Sequence, residues 1–382
     1  MKMKMTLLAA SIAMISSHAM ASGGNVANTY QTGWGNDALV AQDRGNGNQT
    51  SNITQLGDYN DAEVLQTGSY QEASIHQEGW SNDSFSYQTG RGNDAEVTQK
   101  GSYNNSSIEQ RDRNNDATVE QHGVGHKSSV DQRGYRQEAN VYQTNYYNES
   151  EVNQSGSDNT ANVNQTGSFN DSTVSQSNGA WGIWGGDNTA NVNQTGLVGD
   201  SSVEQSGKKN YAELNQGGLL NSADVSQTGA WNDSMINQSG VLNGAEVSQA
   251  GMSNTSYIDQ GGAGNGADVS QTGWANTSDI DQSGVGDMAS VSQDGEWNYS
   301  YVHQDGLLND ADVSQSGLGN VSLVSQTGAF GDANVSQAGV GNFSYISQAN
   351  GAFNTATHTQ TGGGNWAVTT QSGWGNNALV VQ

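Results

Sequence analysis

The sequence predicts an all-β protein, a two-sheet β-solenoid of about 16 coils with about 22 residues per coil. Three observations lead there. A glutamine returns at every eleventh position from Gln31 to Gln382, 32 times in all; the spacing changes only at Gln42–Gln55, Gln176–Gln194 and Gln348–Gln360. Specified residues stand at every second position before that glutamine, which is the period of a strand, whose successive side chains point to opposite faces. The 382 residues contain no Pro, and continuous hydrogen-bonded ladders have no place for one.

The strand comes first. Six residues before each periodic Gln stands Asn in 25 of 32 units, as at Asn60 and Asn93. Four before it stands Ala or Ser in all 32, and two before it Val or Ile in 27. These positions share one face of a strand of about seven residues. The turn follows. Gly stands two after the Gln in 26 of the 31 units that continue. Asp112, Asn145, Asn178 and Asn350 replace it in four of the other five, and Asn and Asp best tolerate left-handed backbone. The position is therefore read as a backbone requirement, with Gly33, Gly68, Gly362 and Gly373 as its examples near the ends.

A longer period is nested in the first. Ser and Ala alternate at the small position, as in Ser84, Ala95, Ser106 and Ala117, so the full repeat is about 22 residues, two strands and two turns. Ordering such a unit costs on the order of 30 kcal/mol, at roughly 1.5 kcal/mol per residue, more than four small inward side chains per strand recover. Stacking supplies the rest: each backbone group finds the coil above or below, and identical amides form ladders. Sixteen coils at about 4.8 Å predict a rod roughly 75 Å long.

The formal charge of −26 and 32% hydrophobic content alone would point to disorder, which the strict period overrides. Residues 1–21 have the pattern of a secretory signal: Lys2 and Lys4, an apolar run from Thr6 to Ile15, and Ala19-Met20-Ala21 before the cut. Its removal takes the charge to −28, and no other run is long enough to span a membrane. Residues 22–176 and 188–382 are repeats; 177–187 is an insertion read as a loop pushed out at a corner. Its Trp181, Ile183 and Trp184 make a candidate contact surface. Acidic residues occupy outward strand positions, so nucleic acid is not an expected partner. No Cys is present, and no cofactor or metal is implied.

No polar capping repeat is evident, and the two ends resemble each other, Gly33 to Gln42 against Gly373 to Gln382. Uncapped strand edges are templates for another chain, and matching ends give a non-closing, filament-forming contact. The expected polymerisation residues are Asn25, Gln31, Asn36 and Gln42 at one end, and Asn365, Gln371, Asn376 and Gln382 at the other.

The series Ser84, Gln88, Gly90, Asn93, Ala95, Gln99, and again Ser256, Gln260, Gly262, Asn265, Ala267, Gln271, resembles the curlin repeat of bacterial curli. The resemblance covers about residues 25–382 and implies a secreted functional amyloid of the biofilm matrix. It implies partners of three kinds: copies of itself, a curli-type secretion pore with a periplasmic chaperone and a nucleator, and the surfaces or extracellular matrix to which the fibre adheres. The major structural subunit is favoured over the nucleator. The reading from a different class is a monomeric solenoid adhesin or binding module.

Other features are read structurally. His76, His122, His126, His303 and His358 are taken as surface residues, and Ser, His and Asp form no triad on a strictly periodic face, so no enzyme is expected. Trp34, Trp80, Trp231, Trp274, Trp297 and Trp374 fall in turns and are expected to pack there. The period of 11 and the irregular Asp do not fit a calcium-binding nonapeptide roll, and the outward series Glu63, Ser74, Phe85, Glu96 and Ser107 is not the repeated Thr of a flat ice-binding face.

Overall fold

The computed structural model describes residues 24–43, 47–178 and 186–382; the signal-like segment and Trp181, Ile183 and Trp184 lie outside them. Among the described residues are 32 strands and no helix, numbered in chain order from β1 (Val26–Thr32) to β32 (Asn377–Val381). The chain forms two compact units, Met1–Tyr147 and Asn148–Gln382. In each, odd-numbered strands make one parallel sheet and even-numbered strands another, so two strands complete a coil and there are about 16 coils. The pairing has the register expected from the repeat: Gln55 stands beside Gln77, and Val225 beside Val247.

Alternation fixes what is inside. The specified Asn, Ala/Ser, Val/Ile and Gln positions are buried and the residues between them are outward. Ile53, Ile75, Ile236 and Ile258 are among the largest fully buried side chains. Each such side chain contributes roughly 1.5–3 kcal/mol by leaving water. A shift of one residue would turn all of them out, so register is tightly specified.

The Ser/Ala alternation along the chain becomes separation in space. Ser84, Ser106 and Ser128 stack in the even sheet of the first unit, while Ala73, Ala95 and Ala117 stack in its odd sheet. Within the second unit the assignment reverses at the neighbouring Ala212 and Ala223. From there Ser234, Ser256 and Ser278 stack in the odd sheet and Ala223, Ala245 and Ala267 in the even sheet.

Strand lengths depart from seven. From β3 (Thr50–Asp58) to β11 (Glu138–Tyr146) every strand has nine residues, because pairing continues through the glycine, as between Gly57 and Gly79. In the second unit the odd strands from β13 (Thr160–Gln165) to β27 (Val321–Gln326) have only six and end on the periodic Gln. There the chain turns at once, and its corners touch through isolated bridges.

Turn glycines meet two requirements. Gly33, Gly68, Gly362 and Gly373 have φ of 125°, 132°, 99° and 104°. At Gly68 a Cβ would also lie 2.0 Å from the Gly90 carbonyl oxygen, and at Gly33 it would lie 1.7 Å from that of Gly57. Asp112, Asn145 and Asn350 do take the left-handed conformation at this position, with φ of 79°, 75° and 53°. A second left-handed position lies just before the inward Asn. It carries bulky residues such as Tyr59, Tyr103, Trp231, Leu242 and Phe353, with φ between 54° and 60°.

Candidate functional site: the amide ladders and the coil edges

The periodic glutamines sit where the two sheets meet, and each Nε2 has two hydrogens to place. One goes to the next coil: Gln55 donates to Gln77 Oε1 at 2.9 Å, and Gln249 donates to Gln271 Oε1 at 2.8 Å. The other crosses to the opposite sheet, as from Gln66 to the Thr50 carbonyl at 3.0 Å and from Gln249 to that of Asp233 at 2.9 Å. Because a carbonyl only accepts, this second bond fixes which end of the amide is nitrogen. All the Gln–Gln bonds described run the same way, each donor preceding its acceptor in the chain, from Gln31 to Gln55 at 2.6 Å through to Gln360 to Gln382 at 3.1 Å.

The asparagine column runs oppositely. Asn82 Nδ2 donates back to Asn60 Oδ1 at 3.1 Å, and the main-chain N–H of Asn82 donates to the same oxygen at 3.1 Å. Asn254 does likewise to Asn232, both at 3.2 Å. An amide N–H can only donate, so this orientation is also fixed by chemistry. Each coil thus offers glutamine donors forward and asparagine acceptors forward. Left unpaired, a buried amide of this kind costs about 1–3 kcal/mol; here the next coil satisfies it.

At the outermost strands the inward side chains are less covered. Asn25, Gln31, Asn36 and Gln42, on or beside β1 and β2 (Asp37–Gln42), are half-buried, as are Asn365 and Asn376. Gln371, in β31 (Trp366–Trp374), is buried and Gln382 is exposed. Gln348 donates to Gln371 Oε1 at 2.9 Å and Asn376 donates to Asn354 Oδ1 at 3.0 Å, so the end residues belong to the same columns as the interior ones.

Two histidines are not on the surface as expected. His126 occupies an inward Asn position and is fully buried; its main-chain N–H donates to Asn104 Oδ1 at 3.1 Å. His358 occupies a Val position, between Val335 and Val380 of neighbouring coils. Its Nδ1 lies 2.7 Å from Ser344 Oγ and its Nε2 lies 2.8 Å from Thr369 Oγ1. Burial lowers both histidine pKa values, chiefly because the charged form loses water. Reading each histidine's distance to the following periodic Gln would have placed them. Asp287 is another inward substitution: it replaces Asn, its Oδ1 accepts from the Asn309 main chain at 2.9 Å, and burial raises its pKa.

On the outward faces, like charges stack. Glu72, Asp94, Asp116 and Glu138 occupy one column of four successive coils. Asp94 is pushed up to about 6 by burial first and then by Asp116, Glu72 and Glu96. Some of the turn tryptophans pack against rings of adjacent coils yet remain exposed: Trp80 lies 4.8 Å from Tyr103 and Trp274 lies 5.2 Å from Trp297. Among the described residues no group of three or more His, Asp or Glu side chains is arranged to hold a metal ion, and no helix is long and apolar enough to cross a membrane.

Parallel coils closed by unidirectional amide columns define a cross-β solenoid, a structural repeat architecture rather than a catalytic one. Six segments match the curlin associated repeat: residues 50–79, 71–101, 90–123, 200–229, 286–317 and 309–339. The chain is a curlin-family protein with many repeats. No curated protein matches it.

Proposed function

We propose that the protein is the secreted major structural subunit of a curli-type amyloid fibre and that it grows coil on coil. The fibre would serve biofilm matrix, cell aggregation and adhesion, with export through a curli-type pore aided by a periplasmic chaperone and a nucleator. The observation that carries this reading is the fixed direction of the ladders. Continued past β31 and β32, the columns have Gln371 and Gln382 donate to Gln31 and Gln42 of another copy. In the same contact the Oδ1 atoms of Asn365 and Asn376 accept from the main chain at Asn25 and Asn36. Donor meets acceptor only head to tail, which is a heterologous contact that does not close.

The test is a thioflavin time course on the 22–382 chain, with and without sonicated self-seeds, read beside electron micrographs. Seeded growth of long fibrils is expected. Soluble particles one molecule long would transfer the protein to the class of monomeric solenoid binding modules. Growth should slow several-fold more for Gln382→Ala than for Gln227→Ala, since an end ladder must be matched by each incoming chain. Equal slowing would remove the ends from the mechanism.

A further inference from the structure

The corner that follows the odd strands of the second unit carries an apolar ridge. Val198, Leu220, Leu242, Leu308, Phe330 and Phe353 are 40–60% exposed. They lie in one column, one per coil except in the two coils where Gly264 and Gly286 stand, and the residues before them bridge coil to coil from Leu197 through Leu219 and Val241 to Ala329. The ridge therefore stands on an unbroken hydrogen-bonded backbone, with its bulky side chains in two stretches on either side of the two glycines: the N–H of Leu220 donates to the Leu197 carbonyl at 3.0 Å and that of Leu242 to Leu219 at 2.9 Å.

Two costs attach to these residues. Each holds left-handed backbone, with φ from 51° to 60°, at roughly 1 kcal/mol or more for a side chain with a Cβ. The same position in the same column accepts glycine without that cost at Gly264 and Gly286. Each also leaves apolar surface in water. The left-handed strain is common to the repeat, since Tyr59, Tyr103 and Trp231 share it; what marks this column is that its exposed side chains are wholly apolar.

Charge identifies the occupant. Along the middle of the ridge one flank is Gly217, Ser239, Gly261 and Ser283, and the other is Ser222, Gly244, Gly266 and Met288. None is ionisable, in a chain of formal charge −26. This middle stretch, from Leu220 to Gly286, is a strip along which two copies approach without facing charges, while Asp200, Asp305, Asp310 and Asp332 flank the column on either side of it. An anionic lipid surface is disfavoured, since no Lys or Arg follows Lys209. From Phe169 to Phe353 the exposed apolar area is on the order of 1,000 Å2, the scale that one partner gives to a stable interface. Both copies carry side chains at one coil spacing, so the ridges can interdigitate.

We propose that this ridge is a lateral interface, by which a second copy of the chain packs side by side, distinct from end-on growth and not dependent on it. The experiment uses the 22–382 chain and two triple variants at Leu220, Leu242 and Leu308, one all Asn and one all Gly; both residues accept the left-handed backbone. Sedimentation of the freshly prepared soluble chain reads pairing, and micrographs of seeded fibres read width. The expected result is at least a tenfold weaker self-association and a loss of paired or bundled filaments in both variants, with the seeded growth rate within twofold of the parent. Unchanged association and width in the glycine variant would overturn the proposal. So would ridge-dependent flotation with phosphatidylcholine vesicles in the absence of self-association. Failure of parent and variants alike to grow fibres would count against end-on assembly alone, because the sedimentation arm still reads the ridge.

Discussion

The two units are built on the same kind of core and differ at their corners. In the first, the corner after the even strands carries Arg91, Arg113 and Arg136, and the cations lean on rings: Arg91 lies 5.2 Å from the Tyr70 ring centre and Arg136 lies 4.6 Å from that of Tyr135. Arg111 and Arg133 on the adjoining face pair with Glu109 and Asp131. In the second unit the same kind of corner carries Trp231, Met252, Trp274 and Trp297, and the opposite corner is the aliphatic ridge. The lesson is a division of labour. The inward ladder sets the fold and holds one register, with only occasional substitutions such as His126 and His358. The corners are hydrogen-bonded through their backbone and through inward Asn amides, as from Asn82 to the Gly101 carbonyl, so their outward side chains are free to differ and to give each stretch its own surface.

The largest effect expected is on that common backbone. Gly79 has φ of 125° and a Cβ there would lie 2.0 Å from the Gly101 carbonyl oxygen. Gly362 has φ of 99° with nothing within 4 Å. Gly79→Ala should therefore destabilise by about 3 kcal/mol or more, through both clash and φ, and Gly362→Ala by about 1 kcal/mol, through φ alone. Urea unfolding of the two variants measures the difference. Equal losses would mean that coil-to-coil approach is not what demands glycine, and that the corners are under less constraint than their close contacts imply.

How much of this was legible follows from what repeats. Inward residues recur at every eleventh position, so the period alone exposed Gln77, Ile75 and Ala73 as core. The corners alternate with twice that period and drift along the chain, so averaging over the shorter one blends Arg113 with Val124 and hides both surfaces. The left-handed position before Asn was illegible for another reason: Tyr, Trp, Leu and Phe are the residues least associated with positive φ. Only the stacked backbone that holds Leu242 and Trp231 explains why they accept it. The reversal of the Ser and Ala columns was visible as a phase slip at Ala212 and Ala223, but its meaning, an exchange between sheets, needed the fold.

A smaller effect should separate the regions by pH. The column Glu72, Asp94, Asp116 and Glu138 holds Asp94 at about 6, above its unfolded value, so the folded state binds protons more readily. Stability is then withheld at neutral pH and gained as pH falls below about 6 towards 4. His358 in the second unit has its pKa lowered by burial. Its contribution is full above the unfolded value near 6.5 and is lost as pH falls below it. Asp94→Asn should raise the urea midpoint at pH 7 and flatten the acid gain, and His358→Val should remove an acid loss. His126 opposes the column within the first unit, since its pKa is also lowered, so the single-site variants rather than the bulk profile carry the test. Identical profiles for parent and His358→Val from pH 7 to 5 would take the buried histidine out of the account.

The smallest effect concerns the serine columns, where the comparison is sharpest in chemistry. In the first unit Ser106 Oγ donates to Ser84 Oγ at 3.2 Å, while the next serine of that column, Ser128, has no partner for its Oγ among the described residues. In the second, the buried Oγ atoms of Ser234, Ser256, Ser278, Ser300 and Ser322 have no hydrogen-bond partner among the described residues. A buried hydroxyl without a partner costs about 1–3 kcal/mol, whereas a made bond contributes about 1 kcal/mol. Alanine fits either column, since Ala73 and Ala245 are buried at the equivalent position of the opposite sheets. Ser278→Ala should therefore stabilise the chain by about 1 kcal/mol, and Ser106→Ala should be neutral or slightly destabilising. A calorimetric comparison of the two variants decides it. Opposite signs would show that a bonded and an unbonded serine are chemically distinct despite their common position in the repeat. A loss in both would mean that the serines of the second unit gain something from their hydroxyls after all, and that the Ser and Ala columns are matched across the sheets for a reason other than size.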